Sequence, residues 1–389
     1  MASKRAADWL MSAVFAAACA AVWLFDFYPP QSDAQGEKFA AKVVAADNSA
    51  VSDVGLVLRG EQRLKVEISS GTRKGELFDA VNLLRAQMDL DKVFEVGDSA
   101  WVSVPHGARP GSDTVNAQDF YRIGKTVFLF AFFAALLVAF GGFVSFKALL
   151  SFVFACLVVW KIVVPACLAG ADAVAVCLAA VCILSAAIIF LVAGFSKKGF
   201  VAFSGTVLGV LASCAMAWYF SGEFKVNGAV MPYSQALLYS GYEFLNLSEL
   251  FIGALFLSSS GAVMDLSMDV SAGMAEVRKA NPQMGRARLL AAGFSIGRSV
   301  VGTMTTTLLL AYSGGYLTLM MAFAANGVGV GDFINNPYVC AEVVKTLVGS
   351  FGLVLVAPFT AAVGCLVFSG AGDEAQRGSK SSCAGDKKN

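Results

Sequence analysis

Charge is scarce in this chain. Asp, Glu, Lys and Arg make up 15% of its 389 residues and nearly cancel, leaving a net charge of +1, where a soluble domain carries about 25% charged residues. That shortage excludes an ordinary soluble domain, and the lack of any basic stripe outside short loops removes nucleic acid as a partner. Histidine occurs once, as His106, and a lone imidazole in a polar stretch reads as a loop residue with no chemistry assigned. The nine cysteines include no CxxC pair, and the stretch from Pro29 to Lys125 contains none. This argues against a disulfide framework and against a thiol metal site; no metal and no cofactor are expected.

What the chain has instead is hydrocarbon, with 57% hydrophobic residues and a mean hydropathy of +0.68. Such a composition predicts a multi-spanning membrane protein whose first partner is the lipid bilayer. The opening apolar block, DWLMSAVFAAACAAVWLFDFY, follows Lys4 and Arg5 and continues through Trp23 and Phe25 without a small-x-small cleavage site, so residues 1–28 read as an uncleaved anchor helix. Cys19 lacks the branched aliphatic residue three positions earlier that lipidation at such a site uses. Over residues 37–110, segments such as KFAAKVVAA, QRLKVEIS and KVFEVGDSAWVSV alternate with period two between Ser-Gly and Gly-Asp turns. They predict a small antiparallel β domain of barrel type.

From 120 to 370 the chain is apolar again. TVFLFAFFAALLVAFGGFVSF, ALLSFVFACLVVWKIVVPACLAG, ADAVAVCLAAVCILSAAIIFLVAG and FVAFSGTVLGVLASCAMAWYF are each long enough, at about 20 residues, to cross a bilayer. Basic loops, SKKG and EVRKANPQMGRAR, alternate with the less basic loop from Ser221 to Ser248, which places the basic ones in the cytoplasm with the N-terminus and exports the β domain. The polar segment 371–389, with Arg377, Lys380, Lys387 and Lys388, reads as a disordered cytoplasmic tail. That parity calls for eight crossings, with Gly314-Gly315 making a kink or a short re-entrant piece. The predicted fold is therefore an all-α polytopic transmembrane bundle of about eight helices, with a small exported antiparallel β domain after the first, in a bacterial cytoplasmic membrane.

The candidate site lies in the sixth and seventh spans. At about 100° per residue, Ser258, Asp265, Asp269 and Glu276 fall within about 20° of one line. Ser299, Thr303, Thr306 and Ser313 form a matching hydroxyl face on the seventh. Ionisable groups at membrane depth cost about 2.5 to 3.5 kcal/mol even on lenient scales and usually line a pathway or hold a partner. Counted at about 1.5 Å per residue from Leu250, Asp265 lies about 22 Å and Asp269 about 28 Å down the span. Glu276 is past the boundary and solvated. Asp269 has an ion-pair candidate in Arg298, while Lys161 is too far out to serve Asp265 and snorkels. Asp265 must then meet water or a cation, or share a hydrogen bond with Thr303 or Thr306.

These segments, GAVMDLSMDVSAGMAEV followed by GFSIGRSVVGTMTTTLLLAYSGG and AEVVKTLVGSFGLVLVAPFTA, resemble the YibE/F-like integral membrane proteins. The likeness extends weakly through RKGE, VGDSAWVSV and FYRIGKTVFLF. It implies a polytopic membrane fold and carries over no substrate and no catalytic residue. Three functional readings result. The first is a permease for a small solute or ion, with a polar cleft between the sixth and seventh spans and close helix packing at Gly205 and Gly209. No inverted repeat is visible to support it. The second is a non-catalytic scaffold whose β domain binds an envelope protein. The remotest is an intramembrane aspartyl protease pairing Asp265 with Asp332 of GVGD, with Ala357-Pro358-Phe359 loosely similar to the short proline motif of that group.

Overall fold

The computed structural model describes residues 2–24 and 36–385, and the chain divides into two compact units, Pro29–Phe140 and the remainder. Helix α1 spans Ala2–Leu24, and the last four residues of the expected anchor, 25–28, lie outside the described residues.

In the first unit, six strands follow in order: β1 Glu37–Asp47, β2 Val51–Val54, β3 Val57–Ile68, β4 Leu77–Arg85, β5 Ser99–Val104 and β6 Thr114–Phe120. Alternation builds them: Gln62, Leu64, Val66 and Ile68 of β3 point inward while Arg63, Lys65 and Glu67 point out. Pairing runs β1–β3–β4–β6–β5 and closes through β5 to β1, with β4 and β6 parallel and β2 added outside β3. Closure leaves no free edge among those five strands. The sheet needs β6, which lies beyond the expected domain end at 110. Inside, Phe39, Phe78 and Phe94 pack with the buried aliphatic residues. The fully buried Gln62 offers its amide to Asn48 Oδ1 and Phe94 O, both at 2.8 Å, and accepts from Phe94 N and Asn82 Nδ2, both at 3.0 Å.

Helix α2 runs Ile123–Val158, continues through a π turn at Val159–Val163, and is followed by α3, Val164–Leu168. The expected second and third spans are thus one stretch of 46 residues. Straight, it would measure about 69 Å, more than twice a hydrocarbon core of about 30 Å. Gly142 interrupts it with φ 58° and ψ −134°, a conformation open to glycine because no Cβ is present. The break falls at the Gly-Gly pair, five residues before the expected junction at Lys147, and Lys147 is buried within the helix.

The remaining helices are α4 Ala173–Ala193, α5 Lys197–Glu223, α6 Ser234–Tyr239, α7 Leu247–Ala280, α8 Arg286–Ser313, α9 Leu317–Ala325, α10 Val330–Asn335 and α11 Pro337–Gly385. Six stretches among the described residues are long and apolar enough to cross a membrane, where eight were expected; α1 adds only the shorter Met11–Leu24. Between α8 and α9 the chain makes one 3-10 turn, Gly314–Tyr316. Tyr312 packs beside Gly349 and the Tyr316 hydroxyl meets Thr346 Oγ1 at 2.9 Å. Up to Tyr316 the chain therefore keeps its direction along α11, and Ser313, Gly314 and Leu317 keep right-handed helical angles at the break. Helix α11 continues through most of the expected tail to Gly385; 386–389 lie outside the described residues.

Helix α1 lies along the second part of α2, with Trp9 on Phe143 at 4.6 Å, Phe15 on Phe154 at 4.7 Å, and Lys161 over the Trp23 ring at 5.9 Å. The main core joins α4, α5, α7, α8 and α11. Close approach is set by glycines. A Cβ on Gly205 would overlap Thr360 of α11, and one on Gly209 would lie 2.9 Å from both Val263 Cγ1 of α7 and Val356 Cβ of α11.

Candidate functional site

Helix α7 is wrapped by its neighbours. Between Phe251 and Val277 the exposed residues are Ala254, Ser258, Gly261, Asp265, Asp269, Ala272 and Glu276, a single line at three- and four-residue spacing. The sequence-derived polar stripe is therefore the one face of this helix that the described residues leave uncovered. Asp265 sits at the midpoint of α7, one turn above Asp269. Among the described residues neither carboxylate has a hydrogen-bond or ion-pair partner. Glu276 stands at 3.9 Å from Lys279 in a solvated pair, worth little.

Helix α8 docks beside this line through small residues. Gly293 faces Met274, Gly297 faces Val270 and Ala357, and Ile296 packs over Gly273. These contacts define an antiparallel register. Extended by one and two turns, it sets Ser299 level with Asp269 and Thr303 level with Asp265. Ser299, Thr303 and Thr306 are exposed like the aspartates. Thr303 donates to Val300 O at 3.0 Å, Thr306 to Gly302 O at 3.4 Å, and Ser258 to Leu255 O at 2.8 Å. The hydroxyls are thus turned onto their own helices, and no hydrogen bond joins Asp265 to Thr303 or Thr306. A hydroxyl that has given its hydrogen away still accepts through its lone pairs. The exposed hydroxyls of α8 are consequently oxygen acceptors at about the depth of the two carboxylates.

Arg298 is exposed on α8, and no ion pair among the described residues joins it to Asp269. Asp332 lies in the first turn of α10, before α11 begins. Gly349, Gly352 and Gly364 of α11 meet Ser259, Val263 and Met274 of α7 in the same order, so the two helices are parallel and Asp265 is level with the middle of α11. Helix α10 packs against the start of α11, with Cys340 Sγ donating to Ile334 O, so Asp332 is about 20 Å away along the axis, at about 1.5 Å per residue. Two carboxylates at that separation share no proton.

Two further features escaped the sequence reading. On the opposite side of α7 from the aspartates, Ser267 meets Thr206 of α5 at 2.5 Å and Ser271 donates to Lys198 O at 2.7 Å. The four-residue step from Ser267 to Ser271, facing the GxxxG spacing of α5, was the available signal. Near the far end of α8, Lys345 lies 3.4 Å from Glu342 and over the Tyr312 ring at 6.0 Å, beside the Tyr316–Thr346 contact. Outside the helices, Asp91 accepts from the backbone N–H of Arg85 at 3.0 Å and of Gln87 at 2.7 Å, and these bonds hold its carboxyl below the usual carboxylate range.

Residues 129–370 match the sequence profile described as YibE/F-like protein, and every residue of both stripes falls inside the match. Comparison with curated proteins and with solved structures finds no match. The matched segment is well over half of the chain, and the chain belongs to the YibE/F-like family.

Proposed function

We propose that this chain is a permease-like protein of a bacterial cytoplasmic membrane, in which a small solute or ion moves along the line between α7 and α8. The observation that carries the reading is that α7, covered elsewhere, leaves open the one face that bears two partnerless carboxylates. Leaving them against lipid would cost about 2.5 to 3.5 kcal/mol each; water or a cation between the stripes removes that cost. The acceptor-only character of Asp265, Asp269, Thr303 and Thr306 favours a cationic solute or a proton and disfavours an anion. The charge rule supports an orientation with both termini cytoplasmic and the barrel exported, since Lys197, Lys198, Arg278, Lys279, Arg286 and Arg288 gather at one end of their helices.

Asp265→Asn keeps shape and hydrogen-bonding capacity and abolishes ionisation. The expected result is an unchanged melting temperature in detergent without rescue of the deletion phenotype; full rescue would end the reading. Ion and metabolite profiling of cells with and without the protein names the substrate class. A cysteine at Ser112 labels from outside intact cells and one at Gln283 does not, if the orientation holds. A scaffold whose barrel binds an envelope protein is the second reading. It is favoured by the β2–β3 hairpin, which leaves Leu56 87% and Val54 59% exposed. Unchanged pools on deletion, with function lost in Leu56→Ser, would decide for it.

A further inference from the structure

We propose that the barrel stands with one end on the bilayer surface, seating the tip of the β2–β3 hairpin among phospholipid headgroups. The inference rests on α2 crossing the membrane and holds whatever solute the helical bundle handles. Strand register brings the residues to that end. Arg59 of β3 lies directly opposite Arg85 of β4, and β4 pairs in parallel with β6 from Asp79 and Thr114 onward. Continued along the strands, that register sets Phe120, the last residue of β6, level with Arg85. The chain therefore leaves the barrel at the end where the hairpin projects. Only Tyr121 and Arg122 separate Phe120 from α2, and they reach at most about 7 Å. The apolar run of α2 opens just after Lys125, about 5 Å further on. Leu56, three positions before Arg59, extends about 10 Å past the level of Arg85 along its strand. A headgroup layer is about 5 to 7 Å thick, so the tip has the reach to enter it.

The chemistry of that end fits the same occupant. Leu56 and Val54 form the exposed tip, and the turn after β4 adds Met88, 72% exposed, and Leu90. Apolar side chains gathered at one end of a barrel mark a surface that something apolar covers. Arg59 and Arg85 face each other across two strands, a repulsive placement for like charges. Neither has a carboxylate partner among the described residues, whereas Arg63, Arg73 and Arg122 pair with Glu61, Glu76 and Asp119. Lipid phosphate relieves the repulsion, because a guanidinium takes its oxygens two at a time while its stem lies along apolar neighbours. Of the acids nearby, Asp91 accepts from the Arg85 and Gln87 N–H groups and Asp119 holds Arg122, leaving Asp53 and Asp89 exposed. The charge is therefore mixed, which suits a phosphate and not a purely anionic surface. Trp101, opposite Asp119, stacks on Tyr121 at 5.6 Å, the kind of amphipathic ring pair that settles at a membrane interface. Tethered two residues from α2, this end meets the bilayer at far higher effective concentration than any free partner.

The test uses full-length protein reconstituted in liposomes of phosphatidylethanolamine and phosphatidylglycerol, carrying an NBD fluorophore through Leu56→Cys or, as the control, through Lys74→Cys in the β3–β4 turn at the opposite end. Wild type treated identically sets the background from native cysteines. The label at position 56 is expected to emit at shorter wavelength than the one at position 74 and to be quenched by phospholipids bearing a nitroxide high on the acyl chain. The label at position 74 should instead be quenched by aqueous iodide. Equal iodide quenching at both positions, with no nitroxide-lipid quenching at position 56, overturns the proposal. So does a label at position 56 that is aqueous in liposomes and shielded only in native membranes, which would assign the tip to an envelope protein. Arg59→Gln with Arg85→Gln in the Leu56→Cys chain should lose part of the nitroxide quenching, and full retention overturns the phosphate contact.

Discussion

Replacing Gly209 by alanine tests how tightly α5 is wedged between α7 and α11. The added methyl would stand 2.9 Å from Val263 Cγ1 and 2.9 Å from Val356 Cβ, about 1 Å inside ordinary van der Waals contact. Moving α5 away from one partner drives it into the other, so both interfaces must shift. Overpacking of this kind costs about 1 to 3 kcal/mol, while glycine-to-alanine in a helix interior gains about 1 kcal/mol. The net expectation is destabilisation of up to about 2 kcal/mol. Gly261 of α7 is the control, because nothing lies within 4 Å of its added methyl and only the helix gain remains. Thermal unfolding in detergent, followed by tryptophan fluorescence, should rank Gly261→Ala at or above wild type and Gly209→Ala below it. Val263→Ala in the Gly209→Ala background removes the clashing Cγ1 and should recover part of the loss. Gly209→Ala melting at or above wild type would refute the wedge.

Gln62→Leu leaves the buried N–H and C=O of Phe94 without their partner, at about 1 to 3 kcal/mol per group; hydrogen exchange should rise at Phe94 while the β3–β4 ladder stays protected, and unchanged protection would count against the network. Asp91, its carboxyl held below the usual range by the Arg85 and Gln87 N–H groups, contributes local stability that is complete above the ordinary carboxylate pKa of about 3.9 and is lost as pH falls through its depressed value. Exchange at Arg85 and Gln87 should therefore quicken in that acid window, and Asp91→Asn should flatten the dependence. Asp269→Asn and Arg298→Gln should have additive effects on melting temperature, because no ion pair links them, and a double variant more stable than the sum would show that a pair forms.

Much of the fold was legible where one period dominates. QRLKVEIS became the second half of β3 with its period-two alternation intact, and the aspartate line of α7 came through with its spacing intact. Strand β6 was missed because VNAQDF carries only two buried apolar residues, Val115 and Ala117, and pairs partly with β4, a strand distant in sequence. The break at Gly142 hid inside a run whose hydropathy never falls. Asp269 and Arg298 were matched by depth, but an ion pair also needs the rotational phase of α8, which Gly293 and Gly297 set by seating that helix against α7 and α11. The Thr206–Ser267 contact went unseen because the carboxylates dominated the reading of α7, and hydroxyls on its other side produced no competing signal.

The two sides of α7 also differ mechanically. Toward α5 it is pinned by hydroxyls, Ser267 to Thr206 and Ser271 to the Lys198 carbonyl, so rolling about its own axis would break buried polar contacts. Toward α8, among the described residues, no hydrogen bond crosses; the boundary is glycine against apolar side chains, a surface that tolerates sliding. A change in the width of the space beside Asp265 therefore falls to α8. In the proposed permease, helix α7 is the fixed wall of that opening and α8 its moving jamb.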